Sequence, residues 1–139
     1  MSNGFNPMRY DCEKQGCFNK KRRPKIEQFV DCLPGKIAFT DIDAACEING
    51  HQLWLEFKTF EGDLSRGQHL LFINQTSVQT GKENAVFVCV GNAQSMEIQS
   101  VAVYRRGECT DFFACDLNKL RGMIKAWADK AFDISWQCS

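Results

Sequence analysis

Asn49-Gly50, flanked on both sides by runs of period two, constrains this chain more than any other feature in it. Both central residues of a type I′ turn need positive φ, which Asn and Gly adopt most readily, so the dipeptide predicts a tight hairpin within residues 36–58. With those two residues in the turn, cross-strand partners have numbers that sum to 99, which sets Asp43 opposite Glu56 and Asp41 opposite Lys58. Side chains two apart share a face. Asp41, Asp43, Glu56 and Lys58 therefore project from one side, while Ile42, Ala44, Cys46 and Ile48 meet Leu53, Leu55 and Phe57 on the other, which is the predicted core face. A slip of one residue would exchange the two sets, so burial of the apolar set specifies the register.

Two carboxylates facing each other across a strand pair repel, at a cost of roughly a few tenths of a kcal/mol or more. A divalent cation removes that cost. Mg²⁺ takes one or two carboxylates, keeps several waters and completes its shell with phosphate oxygens, and it lowers the pKa of a bound water. Lys58, two residues beyond Glu56 on the same face, can hold an attacking water or neutralise developing charge.

The surrounding pattern predicts an α/β domain with a mixed sheet. Residues 1–23 read as an irregular arm carrying Lys20, Lys21, Arg22 and Arg23, and residues 24–139 as a single domain. Pro24 suits the first turn of a helix whose stripe is Ile26, Phe29, Val30 and Leu33, closed by Pro34-Gly35. Ser65 and Gln68 fit a capping box ahead of a helix running to about Thr76. Residues 85–90 form a continuous apolar run suited to a strand buried on both faces, and residues 98–104 alternate as a further strand. Asp116 caps a last helix whose apolar side is Leu117, Leu120, Ile124, Trp127, Ala128, Ala131 and Phe132.

Thr40-Asp41-Ile42-Asp43, twelve intervening residues, and then Glu56-Phe57-Lys58 resemble the motif of the PD-(D/E)XK nuclease superfamily, an Asp on one strand and Glu-x-Lys on the next. Thr40 stands where the motif has Pro, and either Asp41 or Asp43 can be its aspartate. The resemblance implies a restriction-endonuclease-like α-β-β-β-α-β core over about residues 24–91, flanked by helices, with residues 36–40 as its first strand and an extra strand and helix at the C-terminal end. It implies Mg²⁺ or Mn²⁺ on Asp43, Glu56 and the carbonyl of Phe57, with Lys58 assisting the nucleophile. Glu27 in the first helix would complete the site, and Gln68 stands where the RecB-like and VRR-NUC branches have a Gln, followed here by Phe72 instead of their Tyr. The expected activity is metal-dependent hydrolysis of DNA, as in phage-encoded endonucleases and junction resolvases, with a homodimer among the assemblies open to it. A nuclease-like protein that holds nucleic acid or a host factor without cutting is the alternative.

Charge and cysteine content fit this reading. The 17 basic and 17 acidic residues cancel only in sum: residues 9–25 hold seven basic and two acidic side chains, and residues 27–63 hold two basic and eight acidic. The arm at 20–25, including Lys25, and the pair Arg105-Arg106 are the candidate phosphate contacts. No apolar run approaches the ~20 residues of a membrane span, and a cytoplasmic location with reduced thiols is expected, in the host cytoplasm if phage-encoded. Cys46 and Cys89 read as small core hydrophobes. Cys12, Cys17, Cys109 and Cys115 could supply a structural Zn²⁺ site, although their spacings are looser than usual. His51 and His69 read as incidental, and no other catalytic motif competes.

Overall fold

The Asn49-Gly50 turn adopts the conformation its residues favour, with φ of 53° at Asn49 and 89° at Gly50. It joins Ala44–Ile48 (β1) to His51–Lys58 (β2) in an antiparallel pair, Ala44 opposite Leu55 and Ile48 opposite His51, which is the predicted register. The Asn49 side chain donates to the carbonyl of Ala131, fastening the turn to the last helix. The computed structural model describes residues 24–133, and these divide after Phe39 into two units.

Among the described residues the larger unit is built on an open mixed sheet of six strands. From β2 the chain passes through Arg66–Gln75 (α1) and returns as Ala85–Asn92 (β3), parallel to β2 with Glu56 beside Val88 and Lys58 beside Val90. Glu97–Arg105 (β4) pairs antiparallel with β3, and two short strands, Glu108–Cys109 (β5) and Phe113–Ala114 (β6), pair with β4. Leu117–Phe132 (α2) closes the fold. The extra C-terminal strand thus becomes β4 together with β5 and β6.

Among the described residues each face of the sheet carries one α-helix. Val86 and Val88 of β3 point into a cluster with Phe72, Ala102 and Tyr104 on the α1 side. Ala85, Phe87 and Cys89 point the other way, into a cluster with Leu53, Val101, Leu120, Trp127 and Ala131 on the α2 side. This alternation explains why 85–90 is apolar at every position. Both predicted caps form: Ser65 accepts from the Gln68 amide, and Asp116 from the Lys119 amide. The ends of the last stripe, Leu117 and Phe132, are exposed.

β1 has only one strand neighbour among the described residues, and its side chains are half-buried or exposed, so the hairpin's apolar face is covered mainly on β2. Cys46 is accordingly exposed, while burial pushes the Cys89 thiol up to about 12.

The N-terminal unit departs from expectation. Ile26–Cys32 is a 3₁₀ helix with no buried residue, and Phe29 and Val30 of its stripe are exposed. Seven residues are too few to sustain an α-helix without packing, and Pro34 drives Leu33 into the extended conformation found there. Residues 36–40 do not form the predicted first strand: the Ile37 amide bonds the Pro34 carbonyl in a turn, and Ile37 and Phe39, on one face of the would-be strand, are both exposed.

Candidate active site

The β1–β2 ladder stops at Ala44 and Leu55, just short of the two acids. Asp43 keeps the hairpin's register in another way: its Oδ2 accepts the backbone amide of Phe57 at 2.7 Å. The carboxylate does the work of the strand carbonyl that ends there. Glu56, one residue earlier, turns to the α1 side of the sheet and is 5% exposed.

Two side chains converge on one oxygen of Glu56. Lys58 Nζ lies 3.3 Å from Oε2, and the Gln68 amide donates to the same Oε2 at 3.1 Å. The other oxygen, Oε1, is buried with no hydrogen-bond partner among the described residues. Desolvation raises the pKa of Glu56, the charge of Asp43 raises it further, and Lys58 and Gln68 oppose both. Gln68 can reach Glu56 because its own carbonyl is held by the Ser65 amide at 3.3 Å in the capping box, so the start of α1 is built against β2.

Asp43, Glu56, Lys58 and Gln68 lie in one group: the hairpin pattern puts the first three on one face, and Gln68 reaches Glu56 from the start of α1. The Phe57 side chain packs on the α2 side, which leaves its backbone in the acidic group. Asp41 lies exposed in irregular chain before β1. Glu27 and Lys25 belong to the N-terminal unit, and Lys20, Lys21, Arg22 and Arg23 lie outside the described residues, as do Cys12 and Cys17. Arg105 and Arg106 are not part of the acid group. They sit at the end of β4 that pairs with Ala85, and both contact Glu83, at 3.5 and 3.3 Å.

Cys109 and Cys115 are not brought together. Cys109 sits opposite Tyr104, whereas the Cys115 amide bonds the Gln99 carbonyl five residues back along β4, and Cys115 is buried in the α2-side core. Among the described residues no group of three or more His, Cys, Asp or Glu side chains is arranged to hold a metal ion.

Both histidines have structural roles that their local pattern does not reveal. His51 is buried and accepts the Glu83 amide at Nδ1, and His69 Nδ1 lies 2.6 Å from the Tyr104 hydroxyl. Their partners are 32 and 35 residues away, beyond any local periodicity.

No family model matches the chain, and no curated protein or solved structure matches it either. Among the described residues no helix is long and apolar enough to cross a membrane.

Proposed function

We propose that this domain is a Mg²⁺- or Mn²⁺-dependent nuclease that hydrolyses phosphodiester bonds of DNA. The observation that carries the reading is Glu56: a buried carboxylate with one oxygen held by Lys58 and Gln68, the other without a partner among the described residues, and a second carboxylate at the neighbouring end of the strand pair. Asp43, Glu56 and the Phe57 carbonyl make an all-oxygen donor set, which suits a hard divalent cation that retains waters and takes phosphate oxygens. Two carboxylates suffice for such an ion. Bound there, it would supply charge stabilisation and a water of lowered pKa.

The chain's own residues do the rest. Gln68 fixes the rotamer of Glu56, so that Oε1 is the oxygen left to accept. Lys58 is held on the same face by its ion pair, where its ammonium can orient a water and meet charge developing on phosphate. Asp43 fixes the Phe57 backbone through its amide. The order β1, β2, α1, β3 supports a restriction-endonuclease-like core, since it follows the last four elements of that α-β-β-β-α-β order.

One observation favours the alternative, a binding protein on the same scaffold: Glu56 Oε2 and Asp43 Oδ2 already have partners within the protein. A cleavage panel decides between them. Purified full-length chain with Mg²⁺ or Mn²⁺ should cut at least one of single-stranded, duplex and branched DNA, and Glu56→Ala should lower the rate by about 100-fold or more. Intact DNA in every case would leave the binding reading standing and refute the enzyme.

A further inference from the structure

A pocket of about 430 Å³ opens on the sheet beside Lys58. Such a volume lies within the range of roughly 300–1,000 Å³ that small-molecule sites occupy. Lys58, Val90 and Ser100 are neighbours in one row across β2, β3 and β4, and Val90 and Ser100 form the pocket's floor. At ~4.8 Å per strand, the row carries the pocket to within about 10 Å of the Lys58 backbone. One wall is Phe60 and Glu61, just after β2, and the other is Phe112 and Phe113, at the start of β6.

Two aromatic rings, Phe60 and Phe112, and one carboxylate are an unusual lining for a surface that is to meet a polyanion, while Phe113 borders the pocket with its ring turned to the α2 side. Among the described residues Glu61 is the only charged group lining the pocket, so a phosphate is repelled there. A nucleobase is not: it is neutral, has a π-face for Phe60 or Phe112, and can offer amino hydrogens to a carboxylate. Glu61 is also oriented, because Ser100 is buried and its hydroxyl donates to Oε2 at 2.9 Å, leaving Oε1 to accept from a ligand. Bases stacked 3.4 Å apart in a duplex present only their edges. Only a base that has left the stack can bring its face against these rings.

We propose that this pocket holds one unstacked base of the nucleic acid strand whose phosphate lies at Asp43, Glu56 and Lys58, so that the preferred substrate is single-stranded. The inference rests on the nuclease reading for the position of that phosphate, but base binding is measured without cleavage. A base carrying an exocyclic amino group fits Glu61 better than thymine, which has none.

The test is fluorescence anisotropy of labelled oligonucleotides with the full-length chain in EDTA, where nothing is cut. Single-stranded DNA should bind more tightly than duplex of the same sequence, and oligo(dC) more tightly than oligo(dT). Phe60→Ala should weaken single-strand binding by roughly tenfold and leave duplex binding unchanged. Phe60 is 59% exposed, so its removal leaves the fold intact, and Phe112→Ala, whose ring packs in the α1-side core, is the second variant. Equal affinity for single strand and duplex, or wild-type single-strand binding by Phe60→Ala, would overturn the proposal. Cleavage that survives such a result would remove the pocket assignment alone, whereas single-strand binding without cleavage would remove the enzyme and keep the pocket.

Discussion

The Gln68 side chain donates to Glu56 Oε2 at 3.1 Å while its carbonyl accepts the Ser65 amide at 3.3 Å, so one residue is both helix cap and carboxylate clamp. Removing it should act twice. Gln68→Ala forfeits a hydrogen bond to a charged acceptor, worth about 1.5–3 kcal/mol, and frees the rotamer of Glu56. Thermal melts should register the first loss, and a metal titration should find affinity lower by roughly 10–100-fold. Ser65→Ala is the control: it costs about 1 kcal/mol of cap but leaves the Gln68 amide able to reach Glu56, so affinity should fall much less.

Lys58 is only 13% exposed at the side chain, and Glu56 only 7%, so their ion pair is a buried one. Lys58→Ala would strand a carboxylate in the sheet, at a cost of about 3–5 kcal/mol at neutral pH. Lys58→Ala/Glu56→Gln should recover much of that loss. A double-mutant cycle by chemical denaturation measures the difference, and additive losses would show that the pair is not coupled.

Burial and the charge of Asp43 together hold the Glu56 pKa above its ordinary value of 4.5. The fold therefore binds this proton more tightly than the unfolded chain does. The stabilisation is fully present below about pH 4.5 and is lost as pH rises through the raised folded value. Glu56→Gln should become more stable relative to wild type as pH rises across that window. A divalent ion should favour the ionised form, so added Mg²⁺ should raise the wild-type Tm at neutral pH and leave that of Glu56→Gln unchanged.

Gly91 sits at the bulge where the β3–β4 register shifts after Val90. A Cβ there would lie 2.1 Å from the Glu97 carbonyl oxygen and 2.9 Å from Ile98 Cα, both backbone atoms that cannot swing aside. Gly91→Ala should cost about 3 kcal/mol or more, read as a shift in the denaturation midpoint.

The basic arm and the Arg105-Arg106 pair should separate in a salt titration. Replacing Lys20, Lys21, Arg22 and Arg23 together should reduce the slope of log K against log salt by roughly 3 if each meets a phosphate. Arg105→Ala and Arg106→Ala should change it little, because Glu83 already engages both guanidinium groups on protein charge.

The hairpin, its register, both helix caps and the doubly buried strand were legible because each is governed by residues within a few positions of one another. Asn49-Gly50 dictates a turn, and the turn dictates which residues oppose, so Asp43 and Glu56 could be paired before any tertiary contact was known. What was not legible depends on distant partners. The stripe at Ile26, Phe29, Val30 and Leu33 has helical spacing, but spacing produces an α-helix only where a surface covers the stripe, and no residue of Ile26–Cys32 is buried. Residues 36–40 alternate like a strand, yet they pair with none among the described residues. The Glu83 contacts to Arg105 and Arg106 and the separation of Cys109 from Cys115 follow from strand order, which local patterns do not encode.

The most direct measurement of the shared carboxylate site is calorimetric titration of Mn²⁺ into the full-length wild-type chain, Asp43→Ala and Glu56→Gln at neutral pH. Saturable binding to wild type that is abolished by either substitution, with both variants melting cooperatively, is the expected result. Binding that survives both substitutions, or no binding to wild type, would contradict a divalent cation held between Asp43 and Glu56.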